Sequence, residues 1–112
     1  MKCVTDTGLV LAQEVEPAHR FFSRLKGLMF RPSMRPGTAL LLSPCPQIHT
    51  CFMRFAIDVL FLAEDGTVLY VLEQMKPWRI SPIVRHAVQT LEMPGGTLQG
   101  RVKVGQMVDF KE

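Results

Sequence analysis

Apolar and polar residues alternate, cluster and break along this chain in patterns that predict a series of short strands. From Ile48 to Leu62 the sequence reads I-H-T-C-F-M-R-F-A-I-D-V-L-F-L, an apolar run interrupted by His49, Arg54 and Asp58. Extended, it places Cys51, Met53, Phe55, Ile57, Val59 and Phe61 on one face and Arg54, Ala56, Asp58, Leu60 and Leu62 on the other. Two largely apolar faces predict a central strand covered on both sides. Its few polar side chains must then find partners, as a structural network or as a site.

The rest of the chain divides around this run. A first strand is predicted over Leu9–Val15, between Thr7-Gly8 and Pro17. Pro17 then opens a predicted amphipathic helix over Ala18–Met29, with Phe21, Leu25, Leu28 and Met29 on one stripe, Arg20, Arg24 and Lys26 elsewhere, and Gly27 near its end. Four prolines (Pro32, Pro36, Pro44 and Pro46) leave Thr38–Leu42 as the strand between two loops. Asp65-Gly66 between Val59–Ala63 and Thr67–Leu72 predicts a hairpin, with Leu62 facing Leu69, Leu60 facing Val71 and Asp58 facing Glu73. The stretch Met75–Pro82 is rich in turn residues and exposes the only tryptophan, Trp78. A strand over Val88–Met93 ends at Pro94-Gly95-Gly96, a turn that needs positive φ, and Thr97–Lys103, read as a single helical turn, leads to a last strand, Met107–Lys111. About six short strands without a strand–helix alternation predict a mainly β domain: a compact antiparallel β-sandwich or partly closed β-barrel with one short amphipathic helix near the N-terminus.

Composition narrows this little. The 112 residues form one domain, 1–112, and 47% hydrophobic content supplies a core without obligatory metals or disulfides. A net charge of +3 without Lys/Arg runs argues against nucleic acid as a partner. No window approaches the ~20 apolar residues of a spanning helix, so no membrane role and a cytoplasmic location are expected. Three cysteines, Cys3, Cys45 and Cys51, are an odd number, and reduced thiols are expected.

Candidate chemistry centres on the Ile48–Leu62 run. Cys45, His49 and Cys51 form C-x3-H-x-C, but a structural zinc site wants four paired ligands and Cys3, His19 and His86 are scattered, so neither metal nor cofactor is expected. A nucleophilic Cys51 with His49 is disfavoured because same-strand neighbours two apart stand about 7 Å from one another. Asp58 reads as a general base or ligand-orienting carboxylate, or else as the acceptor of an ion pair with Arg54 or Arg24 or a cap on loop amides. Glu92 is either a second carboxylate for Asp58 or a bracing residue. Trp78 beside Arg79, with Arg85 and His86 nearby, suits stacking or a partner contact; the alternative is a tryptophan that caps the core.

These motifs add up to a family resemblance. R-L-K-G-L-M (Arg24–Met29), H-T-C-F-M-R-F-A-I-D-V-L-F-L (His49–Leu62), D-G-T-V (Asp65–Val68), P-W-R (Pro77–Arg79), L-E-M-P-G-G (Leu91–Gly96) and V-G-Q-M-V (Val104–Val108), in this order, resemble the prokaryotic family known as domain of unknown function 192. The chain departs from it at Phe52–Asp58, where W-M-x-N-T before I-P-L-D is common, at Met93 for Leu or Val, and at Gln106 where Gly-Asp is usual. The resemblance implies a compact mainly β fold with one helix and a surface where the motifs gather. It implies no reaction, and enzyme activity stays open. Some relatives carry a leader segment, whereas this chain starts at its first strand, which fits the cytoplasmic expectation.

The expected function is binding of a small molecule or a protein partner at a cleft around the Phe52–Asp58 strand and the Pro77–Arg79 loop. Arg54, Asp58, Trp78, Arg79, Gly95 and Gly96 would form it, with His49, Cys51, Arg24 and Glu92 as secondary candidates. One alternative is a hydrolase or isomerase using Asp58 with His49 or Glu92; another is a structural accessory protein without a small-molecule site. Oligomeric state is not legible in the sequence.

Overall fold

A computed structural model describes residues 1–18, 28, 29, 31–44 and 46–112. Its strands are β1 (Lys2–Thr5), β2 (Val10–Ala12), β3 (Glu14–Ala18), β4 (Thr38–Leu42), β5 (Ile57–Leu62), β6 (Val68–Met75), β7 (Gln89–Pro94) and β8 (Val108–Lys111). They form a three-stranded sheet ordered β2-β1-β8 and a five-stranded sheet ordered β3-β4-β7-β5-β6. Neither sheet closes into a barrel, and the described residues contain no helix. The fold is mainly β, as the pattern predicts.

All six residues of β5 are buried. Leu60 and Leu62 face the smaller sheet and pack with Leu41, Leu91, Met93, Cys3, Leu11 and Val108. Ile57, Val59 and Phe61 face the opposite way, where they pack with Met75 of β6 and with Ile48, Met53 and Ala87 from the connecting segments. The central strand thus has the two apolar faces its sequence predicts, but only from Ile57 onward. Cys3 lies in the core between the sheets, where burial and the nearby Asp109 push its thiol up to about 12, so it is an inert packing group.

Several expectations are corrected. The expected first strand, Leu9–Val15, is two strands that bend at Gln13, so the chain passes from the small sheet (β2) to the large one (β3). Pro17 belongs to β3 rather than opening a helix; among the described residues β3 pairs only with β4, and an edge strand tolerates the missing N–H. The β3–β4 pairing is parallel, the exception in an otherwise antiparallel sandwich. The central residues of the predicted helix, 19–27, lie outside the described residues, and Leu28 and Met29 form a turn. Thr97–Lys103 contains turns but no helical turn.

The β5–β6 hairpin forms at Asp65-Gly66, with Gly66 at φ 93° and Leu60 opposite Val71, as predicted. A Cβ on Gly66 would collide with the Val108 carbonyl oxygen, so glycine is needed for close approach as well as for φ. Two bulges displace the remaining register: Leu62 faces Val68 instead of Leu69, and Asp58 does not face Glu73.

Candidate functional site

The first half of the Ile48–Leu62 run is not a strand, and Thr50 explains why. This fully buried threonine donates its N–H to the Arg79 carbonyl at 2.8 Å, and its carbonyl accepts from Met53 N–H at 3.1 Å and Trp78 N–H at 3.0 Å. Its hydroxyl donates to the Lys76 carbonyl at 2.6 Å and accepts from Arg79 N–H at 2.9 Å. The hydroxyl therefore sits inside the Lys76–Arg79 turn, bridging the two groups a β-turn would join directly. Side-chain bonding of this kind competes with a strand ladder and here replaces it.

Further bonds extend the staple into an irregular ribbon of residues 46–50 against 78–84. Ser81 N–H donates to Ile48 C=O and Val84 N–H to Pro46 C=O, each at 2.9 Å, and His49 bridges Ile80. Both ends of the Thr50 staple carry an aromatic residue with positive φ: Phe52 at 65° and Trp78 at 65°. Each is third in a four-residue turn, a position where glycine or asparagine is favoured, and left-handed backbone costs other residues about 1–2 kcal/mol. Both rings nevertheless project outward, 48% and 58% exposed, meeting edge to face with centroids 4.8 Å apart. Trp78 therefore does not cap the core.

The two segments that carry the pair are basic. Segments 46–56 and 76–88 hold Arg54, Lys76, Arg79 and Arg85 and no Asp or Glu. All four are exposed, and the Arg79 guanidinium donates to the Trp78 carbonyl at 3.3 Å. Ile80 and Ile83, on the same ribbon, are 69% and 67% exposed.

Asp58 lies inside the protein instead. It is fully buried on the face toward the smaller sheet, where its carboxylate accepts from Gln74 N–H at 2.9 Å and Leu98 N–H at 2.8 Å. Gln74, at φ 54°, occupies the bulge opposite Asp58. Glu73 beside it accepts from Gly100 N–H through both oxygens at 3.1 Å, so two carboxylates on adjacent strands brace the 97–101 loop. Gly95 is held against the Ala56 carbonyl by a 3.1 Å N–H bond, and a Cβ there would lie 2.5 Å from Gln74 Oε1. Gly96 supplies the positive φ of the turn, at 92°.

Glu92 occupies the other face of the large sheet. Register neighbours Glu16, Leu40, Glu92 and Val59 form a row across β3, β4, β7 and β5. Arg31 reaches Glu16 at 3.8 Å and also attracts Glu92. Glu92 is 4% exposed; burial pushes its carboxyl up to about 8, and Arg31 only partly opposes this. A cavity of about 300 Å³ lined by Arg31, Ser33, Arg35, Thr38, Glu14 and Glu16 adjoins the row at Leu40.

The structure thus gathers Phe52, Trp78 and Arg79 around Thr50. Asp58 and Glu92 stand on opposite faces of one sheet, because they are offset by one in register. His49 and Cys51 are half-buried, and His49 Nδ1 accepts the Cys51 backbone N–H at 3.1 Å. Arg24 and Cys45 lie outside the described residues. Thr50 and Arg31 were not singled out by sequence reasoning; a hydroxyl inside an apolar run was the available signal for Thr50.

Comparison with known proteins agrees with this architecture. The chain is 36% identical over 104 residues to UPF0127 proteins of Pyrococcus furiosus and Pyrococcus abyssi, covering 87% of this chain and 86% of each relative. The crystal structure of a protein of unknown function from Novosphingobium aromaticivorans superposes with a TM-score of 0.83 at 20% identity, over 97% of this chain and 82% of that one. The sequence profile of domain of unknown function 192, described as an uncharacterized ACR, matches residues 2–110, and the chain belongs to that family.

Proposed function

We propose that this domain is a binding module whose contact surface is the stapled ribbon of residues 46–54 and 76–86. Phe52 and Trp78 form its centre and Arg54 and Arg79 its cationic surround. The reading rests on one observation: two bulky aromatics occupy left-handed turn positions that disfavour them, and both are turned outward. Backbone strain of this kind clusters at functional positions. In this reading Asp58 and the Gly95-Gly96 turn hold the adjoining loops in place and do not contact the ligand. An Asp58–Glu92 acid/base pair is not part of it, since the two carboxylates face opposite sides of the sheet.

Trp78 is the only tryptophan, so its emission reports directly on this surface. The test titrates the full chain with four probes: phosphatidylcholine vesicles, the same vesicles containing phosphatidylglycerol, a single-stranded oligonucleotide and polyglutamate. A blue shift with any probe, weakened by Phe52→Gly, supports the reading. No shift with any of them overturns it.

A further inference from the structure

We infer that the partner of this surface is an anionic lipid bilayer, engaged peripherally. The inference rests on the contact surface proposed above and adds its chemistry. Four large apolar side chains, Phe52, Trp78, Ile80 and Ile83, are between 48% and 69% exposed on one ribbon. Four exposed cations, Arg54, Lys76, Arg79 and Arg85, belong to the same two segments, which carry no acidic residue. The contrast is local: removing those four from the 13 basic residues leaves 9 against 10 acidic ones elsewhere.

A bilayer interface matches both halves of this composition. Tryptophan and phenylalanine settle at the boundary between headgroups and acyl chains, isoleucine enters just below it, and arginine and lysine remain with the lipid phosphates. Single-stranded nucleic acid would use the rings and the cations, but it gives two exposed isoleucines no role. The Thr50 hydrogen bonds fix the two turns before binding, so little ordering remains to be done at the membrane. A surface assembled from two separate segments needs no long apolar run. The absence of a spanning helix among the described residues therefore does not bear on it.

Flotation of the full chain with vesicles tests the inference, with Trp78 emission read in parallel. Co-flotation and a blue shift are expected with phosphatidylglycerol-containing vesicles and not with phosphatidylcholine alone. Arg54→Gln and Arg79→Gln should each weaken partitioning about fivefold, the equivalent of ~1 kcal/mol per cation at an anionic surface. Trp78→Gly, which keeps the turn conformation, should abolish co-flotation while leaving the circular dichroism spectrum intact. Equal partitioning into neutral vesicles overturns the anionic assignment. A Trp78 response to polyglutamate or the oligonucleotide without vesicle binding overturns the lipid and leaves the contact surface standing. Silence with every probe removes both.

Discussion

Glu92 gives this fold a pH dependence whose size and sign follow from its burial. Its carboxyl ionises at about 8 in the fold against 4.5 for a glutamate in water, because it is buried and Arg31 compensates only partly. The folded state holds this proton longer than the unfolded chain does. Its contribution to stability is therefore fully present below about 4.5 and is lost as pH rises through about 8. Integrated between about pH 5 and about pH 8.5, the loss is on the order of 4 kcal/mol, a large share of the roughly 5–15 kcal/mol that holds a domain together. Glu92→Gln keeps the shape and removes the proton. Urea unfolding followed by circular dichroism at several pH values should find the two proteins comparable near pH 5 and the variant about 4 kcal/mol more stable near pH 8.5. Histidine titrations are common to both and cancel in the difference. A wild-type-minus-variant difference that stays within about 1 kcal/mol across this range would refute the reasoning, since it would mean Glu92 ionises in the fold as freely as in water.

Thr50→Val, nearly isosteric, strips the Lys76 carbonyl and Arg79 N–H of their shared hydroxyl. It should cost about 2–4 kcal/mol in urea unfolding; a loss below about 0.5 kcal/mol would show that the staple is dispensable. Asp58→Asn leaves one acceptor oxygen for two backbone N–H donors, and a loss of about 2–4 kcal/mol is expected, accompanied by faster amide exchange at Leu98. At Phe52, glycine should be more stable than alanine by about 1 kcal/mol, because both lose the ring contact but only glycine relieves the left-handed backbone. The reverse order in paired urea titrations would mean the turn carries no strain.

What was legible in the sequence was legible for local reasons. Thr38–Leu42 is a strand as bounded by its prolines, and Asp65-Gly66 placed the hairpin and the Leu60–Val71 pair. The pairing drifted where bulges intervene, and bulges answer to contacts that alternation does not encode. Gln74 swings its N–H onto Asp58, and an extra residue between Val68 and Tyr70 shifts Leu62. The division of one apolar run at Gln13 between two sheets was likewise hidden, since Gly37, which accepts the N–H groups of Gln13 and Glu14, lies far along the chain. At the candidate site, Trp78 and Arg79 stood out by residue type. Phe52 stood out only once its turn was seen, because the alternation pattern had assigned it to a strand. Of the alternatives open for Asp58, its hydrogen bonds are those of a brace on loop amides.

The pairing of β1 with β8 carries a consequence for how the chain acquires its structure. Lys2–Thr5 pairs with Val108–Lys111, and β2 reaches the small sheet only through β1. During synthesis the first strand emerges roughly a hundred residues before its partner, at about 5–20 residues per second. For those seconds the face of the large sheet that β1, β2 and β8 later cover has no complete lid. The β5–β6 hairpin and β7 close over short sequence separations and can assemble early, whereas the small sheet must wait for the last strand to leave the ribosome. A released chain truncated shortly before Val108 would hold the strands of the large sheet with Leu60, Leu62, Leu91 and Met93 short of their cover, exposed apolar surface of the kind that makes partly folded chains prone to aggregate.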